Sequence, residues 1–339
     1  MKEDRTIRPL STMEKKLSFE ELRGCSREYD TLALATPGID VFCSSSIWGL
    51  SAVEAFYPDA RSLVMRTDRG FLGLILYRIP GMGLTIMPLE ASWCLASPFI
   101  GPDIGELVDL LYKLARGMGP RWDALFLAGL TEKSPLWQRL IGTFYVRYGI
   151  FSGPKTLRRI ASLEGGLDGF LARRTSKFRN NLRRDQRAVA DLDITFTHWD
   201  GIMSSEAADA LFLRMMEVEA RSWKGLQEQG VNEGGMFLFY REMLKMLGPV
   251  GQLRAIMACK GGRDVGYIFG AVMGKTYRGL QFSFLDNYSR LGLGNVLQLE
   301  MIKRLCLEGI DRYDLGTEME YKSRWAEIGL ETASIVVRP

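Results

Sequence analysis

Histidine is almost missing: the 339 residues hold one, His198. That excludes a histidine-rich metal centre. It also leaves any Ser–His or Cys–His mechanism resting on one residue, in a polar segment with no nucleophile motif beside it. Cysteines are few and scattered, at Cys25, Cys43, Cys94, Cys259 and Cys306. An odd number without C-x-x-C spacing excludes a disulfide framework and a thiolate zinc site, and fits reduced thiols in a cytosolic protein. No metal is expected. Long apolar runs are lacking too. The most apolar stretch, Phe71–Met87, is broken by Arg78 and Pro80, well short of the ~20 continuous residues of a membrane span. Residues 1–30 are charged throughout, unlike a secretory signal. The expectation is a cytoplasmic protein with no membrane span. Nor is there a surplus of one charge: 44 Lys+Arg against 40 Asp+Glu leave +4, too mild for a dedicated nucleic-acid binder, so DNA is not expected as a partner.

What is present is an ordinary globular balance, 47% apolar and 25% charged, with a length that suits two domains. Ser44-Ser45-Ser46 before Trp48, Leu50, Val53 and Phe56 reads as a capped helix start. Ser62–Thr67 and Gly70–Tyr77 read as a hairpin around Asp68-Arg69-Gly70. Asp103–Met118 has helical periodicity. A strand over Trp122–Leu127, a helix over Ser134–Ile141 and a strand over Thr143–Ile150 complete the first half. The second half repeats the order. It has one long helix over Leu167–Ala190, a strand over Asp193–His198, and helices over Ser204–Ser222 and Gly235–Leu247. A hairpin of Gly251–Cys259 with Val265–Met273 follows, then a strand over Arg278–Phe284, a helix over Gly294–Glu308, and strands at Arg312–Leu315 and Ser334–Arg338. This spells a duplicated α/β (α+β) unit with mixed sheets, joined at Phe151-Ser152-Gly153-Pro154. The expected domains are 1–155 and 156–339.

Four segments carry candidate chemistry. In Asp286–Gly294 a strand gives way to a helix through Gly292 and Gly294; glycines and a helix N-terminus offer a seat for a pyrophosphate, or simply a turn. The run lacks both G-x-G-x-x-G and a P-loop Gly-Lys-Ser/Thr. In Tyr313–Ala326 a strand ends at Gly316, and Glu318, Tyr321, Lys322 and Arg324 follow closely. A phenol is suited to protonating a departing thiolate, since their pKa values lie near each other (about 10 and 8.5), and the cations suit phosphate or carboxylate. The alternative is a solvated turn with packed aromatics. In Glu217–Gly225, Glu219 and Trp223 stand one turn apart; a carboxylate beside an indole suits a general base, and a salt-bridged helix end is the plainer reading. Leu171–Arg187 carries Arg173, Arg174, Lys177, Arg179, Arg183, Arg184 and Arg187 against one acid, Asp185. That is either a solvated face or a docking surface for an acidic or phosphorylated substrate, RNA included.

In order along the chain stand Lys177-Phe178-Arg179-x-x-Leu182-Arg183-Arg184, Glu219-x-x-Ser222-Trp223-Lys224-Gly225, and Asp314-Leu315-Gly316 followed by Tyr321-Lys322-x-Arg324-Trp325, with Ser46-x-Trp48 in the first half. The set resembles the GNAT-type acyltransferases of the group often labelled cellulose-biosynthesis (CelD/BcsL-like), related to the Fem-type peptidoglycan aminoacyltransferases, over most of residues 35–335. The resemblance implies tandem GNAT-like domains, each a mixed, mostly antiparallel sheet flanked by helices, the first degenerate and the second keeping an acyl-CoA groove. It implies acetyl-CoA or another acyl-CoA as co-substrate. The pyrophosphate would lie on Ser289-Arg290-Leu291-Gly292-Leu293-Gly294 at the helix entering Asn295, although Ser289 stands where the family pattern has Gln or Arg. Fem-type relatives take an aminoacyl group from tRNA instead.

The expected activity is N-acyl transfer to an amine of a sugar, an amino acid or a polysaccharide precursor. Glu219 would deprotonate the amine and Tyr321 protonate the leaving group. Arg290 and the Gly292–Gly294 amides would hold the pyrophosphate, and Trp223, Lys224, Glu318, Lys322, Arg324 and Lys177 the substrates. The alternatives are an aminoacyl-tRNA-dependent transferase and a non-catalytic GNAT-like binding module.

Overall fold

The computed structural model describes residues 14–227 and 230–339. The chain divides into two units. Unit 1 comprises residues 1–53, 57–155 and 332–339, and unit 2 comprises 54–56 and 156–331. Both are mixed, mostly antiparallel sheets with helices packed on them, which is the α/β (α+β) class expected.

In unit 1 the strands Leu74–Ile79 and Gly83–Pro88 form an antiparallel hairpin. Gly83–Pro88 then runs parallel to Ala124–Leu130, whose other edge takes Ala333–Val337. Side chains alternate across these strands, and Leu74, Leu76, Ile86, Leu125, Leu127, Ile335 and Val337 close over the apolar faces of helices Ile104–Lys113 and Pro135–Phe144. Asp103 and Ser134 cap those helices on the N–H groups of Glu106 and Trp137. A smaller antiparallel sheet joins Lys15–Leu17, Val64–Arg66, Phe71–Leu72 and Phe99–Ile100. The Val64–Phe71 hairpin was legible in the sequence; the Leu74–Gly83 hairpin was not, because its turn lies in the apolar run.

Unit 2 orders its strands Thr195–Trp199, Leu253–Lys260, Arg263–Met273, Thr276–Phe284, Arg312–Thr317, and the last part of Gly149–Ser162. All neighbours are antiparallel except Thr276–Phe284 with Arg312–Thr317, which are parallel. Helices Ser176–Ala190 and Leu293–Leu307 enclose a core of Leu182, Val189, Ile268, Leu297, Ile302 and Trp325. Helices Ser205–Glu219 and Gly234–Leu247 pack on each other, and the former on Arg263–Met273.

Three expectations are corrected. The long helix over Leu167–Ala190 is two helices, Gly166–Ala172 and Ser176–Ala190, because Thr175 turns out of the helix and caps the N–H of Phe178. Residues 143–148 are not a strand: Thr143 and Phe144 finish the helix Pro135–Phe144, and the strand begins at Gly149. The units divide at 155/156, beside the expected seam Phe151–Pro154, and the chain crosses there inside that 14-residue strand; the Pro154 carbonyl accepts from Ser334 Oγ at 2.7 Å, and Gly153 has no room for a side chain against Ser334. The extent of the second unit also differs from 156–339, since residues 332–339 complete the sheet of unit 1.

Candidate functional site

The parallel pairing in unit 2 is short. Only Thr276, Tyr277 and Arg278 pair with Arg312, Tyr313 and Asp314. Beyond them Gly279–Phe284 stays with Arg263–Met273, while Thr317 turns to Arg158. Below the fork, Asp314 accepts from Arg158, from Arg278 at 2.7 Å and from the Gly316 N–H at 2.8 Å, so buried charge pins both strand ends. A cavity of about 530 Å³ opens where the strands part, lined by Leu280, Phe282, Phe284, Tyr313 and Leu315, with Lys224, Gln281, Ser283, Gln298, Tyr321 and Lys322 as its polar groups.

One strand edge faces this cavity. Leu285 N–H donates to Val265. Residues along an antiparallel strand alternate between bonding their partner and facing away, so Phe282, opposite Ile268, turns its N–H and C=O from the ladder. Lys224 Nζ donates to that carbonyl at 2.8 Å, leaving the Phe282 N–H as a donor on the cavity side. Burial pulls the Lys224 ammonium below its ordinary pKa.

Tyr321 stands on the short 3-10 turn Glu320–Arg324. Its ring meets Phe282 edge-on at 6.3 Å. Tyr321 lines the cavity, and its hydroxyl has no hydrogen-bond partner among the described residues. Burial pushes the phenol up to about 12, so it stays protonated at neutral pH. Next to it Lys322 is buried and donates to the Thr317 carbonyl at 2.8 Å. Burial, with Arg278 nearby, lowers its pKa to about 8. Trp325 anchors the turn, edge-on to Phe178 at 5.0 Å. The sequence therefore assigned Tyr321, Lys322 and Lys224 to a place where they do assemble.

Other candidates lie elsewhere. Glu219 is fully buried. Its carboxylate accepts from Tyr267 at 3.0 Å, from the Val231 N–H at 3.3 Å and from Ser222 at 3.5 Å. It is not in the cavity wall; it ties the end of its helix to the sheet and holds Val231, which is in the wall. The expected base thus stands behind the wall, through Val231. Glu318 is exposed and ion-paired with Arg159, which holds its carboxyl below the usual range. Arg324, Lys177 and Arg290 are exposed and also outside the lining. The backbone of Trp223 begins the turn Trp223–Leu226; its side chain lies outside what is described.

Gln298 and Ser283 were missed. Gln298 is 2% exposed, faces the cavity and bonds to no described residue. Ser283 Oγ is buried without a partner. A glutamine between Leu297 and Leu299 on a core-facing helix is a signal in the sequence, because amides are seldom buried there without a use.

The expected pyrophosphate turn, Ser289–Asn295, has another occupant. Gly292 adopts φ 70° before the helix Leu293–Leu307. A methyl group on it would sit 2.5 Å from Asp185 Oδ2. Asn295 Nδ2 donates to the same carboxylate at 2.8 Å, and Arg184 donates to its other oxygen at 3.0 Å. Gly294 packs on Phe282 and Phe284. A buried carboxylate thus stands against the turn assigned to the diphosphate.

From Arg174 through helix Ser176–Ala190 the cations divide. Arg174 is buried and pairs with Glu327 at 2.8 Å; Arg179 donates to the carbonyls of Leu171 and Arg174. Lys177, Arg183, Arg184 and Arg187 remain on the exposed face. His198 is exposed on the strand Thr195–Trp199, away from the cavity.

Residues 176–323 match the family model described as "Acetyltransferase (GNAT) domain". That stretch holds the forked strands and the cavity. Among solved structures the fold is similar to a conserved protein of unknown function from Bacteroides thetaiotaomicron, with 12% identity over 96% of this chain and 99% of that one and a TM-score of 0.63. It is similar to FemX, with 10% identity, 95% and 97% coverage and a TM-score of 0.62, and to L-PGS from Bacillus licheniformis, with 11%, 96% and 92% and a TM-score of 0.55. At these identities the likeness is one of fold. Among curated proteins none matches this sequence. Among the described residues no helix is long and apolar enough to cross a membrane, and no group of three or more His, Cys, Asp or Glu is placed to hold a metal ion.

Proposed function

We propose that unit 2 catalyses N-acyl transfer from an activated ester or thioester to an amine. One observation carries the reading: within the stretch matched by the acetyltransferase model, two parallel strands part over a cavity that holds a free backbone donor and an unpartnered phenol. The acceptor nitrogen attacks the acyl carbonyl carbon, and the Phe282 N–H stabilises the oxygen as it becomes an oxyanion. The C–N bond forms as the C–S or C–O bond breaks. Tyr321 gives its proton to the departing thiolate or alkoxide; burial keeps it protonated until then and moves its pKa to about 12, away from a thiol's and toward an alcohol's. The nitrogen loses a proton to Lys322, whose amine is partly neutral near pH 8, and that proton returns to Tyr321 through solvent. Gln298 and Ser283 supply hydrogen bonds that orient the acceptor.

Acetyl-CoA, or another acyl-CoA, is the donor the sequence suggests. A second reading, an aminoacyl ester carried on tRNA, draws on two observations: Asp185 fills the turn assigned to the diphosphate, and the exposed cations of Ser176–Ala190 suit an acidic carrier. Amino sugars, amino acids and polysaccharide precursors are the acceptors to try. The test incubates the full chain with small acyl thioesters and aminoacyl esters against a panel of amines, with mass spectrometry for the N-acyl product. Product that disappears in Tyr321→Phe supports the reading; no acylated amine from any donor removes it.

A further inference from the structure

We infer that Asp185 is a donor-selecting residue that shuts the diphosphate of CoA out of the turn at Gly292, so that this chain recognises its acyl donor without that group. The inference rests on the acyl-transfer reading of the same unit.

A helix start attracts an anion, because its first N–H groups lack partners and its dipole is positive at that end. In this chain a carboxylate of the protein stands beside that start. Asp185 is 4% exposed, and its carboxylate lies where a side chain on Gly292 would begin, Oδ2 at 2.5 Å from that point. The arrangement is held from two sides. Asn295, in the first turn of the helix, donates to Oδ2 at 2.8 Å, and Arg184 donates to Oδ1 at 3.0 Å. Leu182 and Val189, both buried on the same helix, fix the register that points Asp185 inward.

A diphosphate brought to Gly292–Gly294 meets this carboxylate in two ways. It needs the space the carboxylate fills, and it sets like charges within a few ångströms of each other in a partly buried place. The cavity behind is unaffected. Phe282 packs on Gly294 and also touches Tyr321, so one ring stands between the turn and the phenol. The chemical class of donor that fits is one whose activated acyl group sits on an arm lacking a diphosphate at that distance.

The test compares CoA with pantetheine, which shares the thiol arm and lacks the diphosphate, by calorimetric titration of the full chain. In the wild-type protein CoA should bind no more than about threefold tighter than pantetheine. Asp185→Gly vacates the turn and should raise the ratio of the two affinities at least about tenfold. Asp185→Asn, which keeps the shape and removes the charge, should raise it by a smaller factor, and it carries the test if the glycine variant melts early. CoA binding that appears only in the variants also supports the inference. A wild-type preference for CoA of about tenfold or more, a ratio equal in all three proteins, or no CoA binding in any of them overturns it. Acyl transfer from a small thioester is scored separately with Tyr321→Phe, so failure of the transferase reading shows there and not in the ratio.

Discussion

Gly292 and Gly316 hold the same left-handed backbone, at φ 70° and 81°, the first at the start of helix Leu293–Leu307 and the second near the end of strand Arg312–Thr317. What faces them is opposite. A methyl on Gly292 would strike the Asp185 carboxylate; one on Gly316 would lie 3.7 Å from Lys322 Nζ and 3.8 Å from Arg278 Nη2. A glycine with φ > 0 after a strand is therefore no evidence of an anion site by itself. The charge of the side chain brought against it decides, and that side chain comes from elsewhere in the chain.

Tyr321→Phe should lower kcat by about 100-fold or more with donor KM little changed, because general acid catalysis contributes about 10²–10⁴; steady-state kinetics checks it, and unchanged turnover takes Tyr321 out of the mechanism. Gly292→Ala should cost about 3 kcal/mol, from the positive φ together with the collision against Asp185, and Gly316→Ala about 1 kcal/mol. Denaturant unfolding measures both, and equal losses would mean that Asp185 is not held where it stands. Glu219→Gln puts an amide N–H among three donors and should destabilise by about 1–3 kcal/mol, while kcat at saturation moves much less than in Tyr321→Phe; a larger fall in kcat than in stability restores Glu219 as a base. The rate should climb with pH through about 8, where Lys322 loses its proton, and Lys322→Met should flatten that limb. The smallest effect is expected of Arg290→Ala: donor affinity within about twofold, since the side chain is exposed and the turn beside it is filled.

Much of the fold was legible. Helices with a capping Ser, Thr or Asp and a clear apolar stripe, such as Pro135–Phe144 and Ser205–Glu219, were placed within a few residues. Thr175 hid a helix break because its cap lies among arginines that read as helix surface. Tyr321 and Lys322 were legible because their chemistry is local to one turn. The surroundings of Glu219 and of the Gly292 turn were not legible for one reason: their neighbours, Tyr267 and Asp185, lie 48 and 107 residues away along the chain. Spacing within a segment reveals a residue's neighbours on its own helix, not the carboxylate or phenol that another element presses against it.

The strand Gly149–Ser162 begins in unit 1 and ends in unit 2, and Glu327–Arg338 returns. Order of synthesis follows from this. Every residue of unit 2 leaves the ribosome before residues 332–339, which supply the edge beside Ala124–Leu130. The half with the forked strands has its whole sequence made first, whereas the other half must hold its sheet open for the strand at 332–339, with Ala124–Leu130 lacking a partner on that side meanwhile.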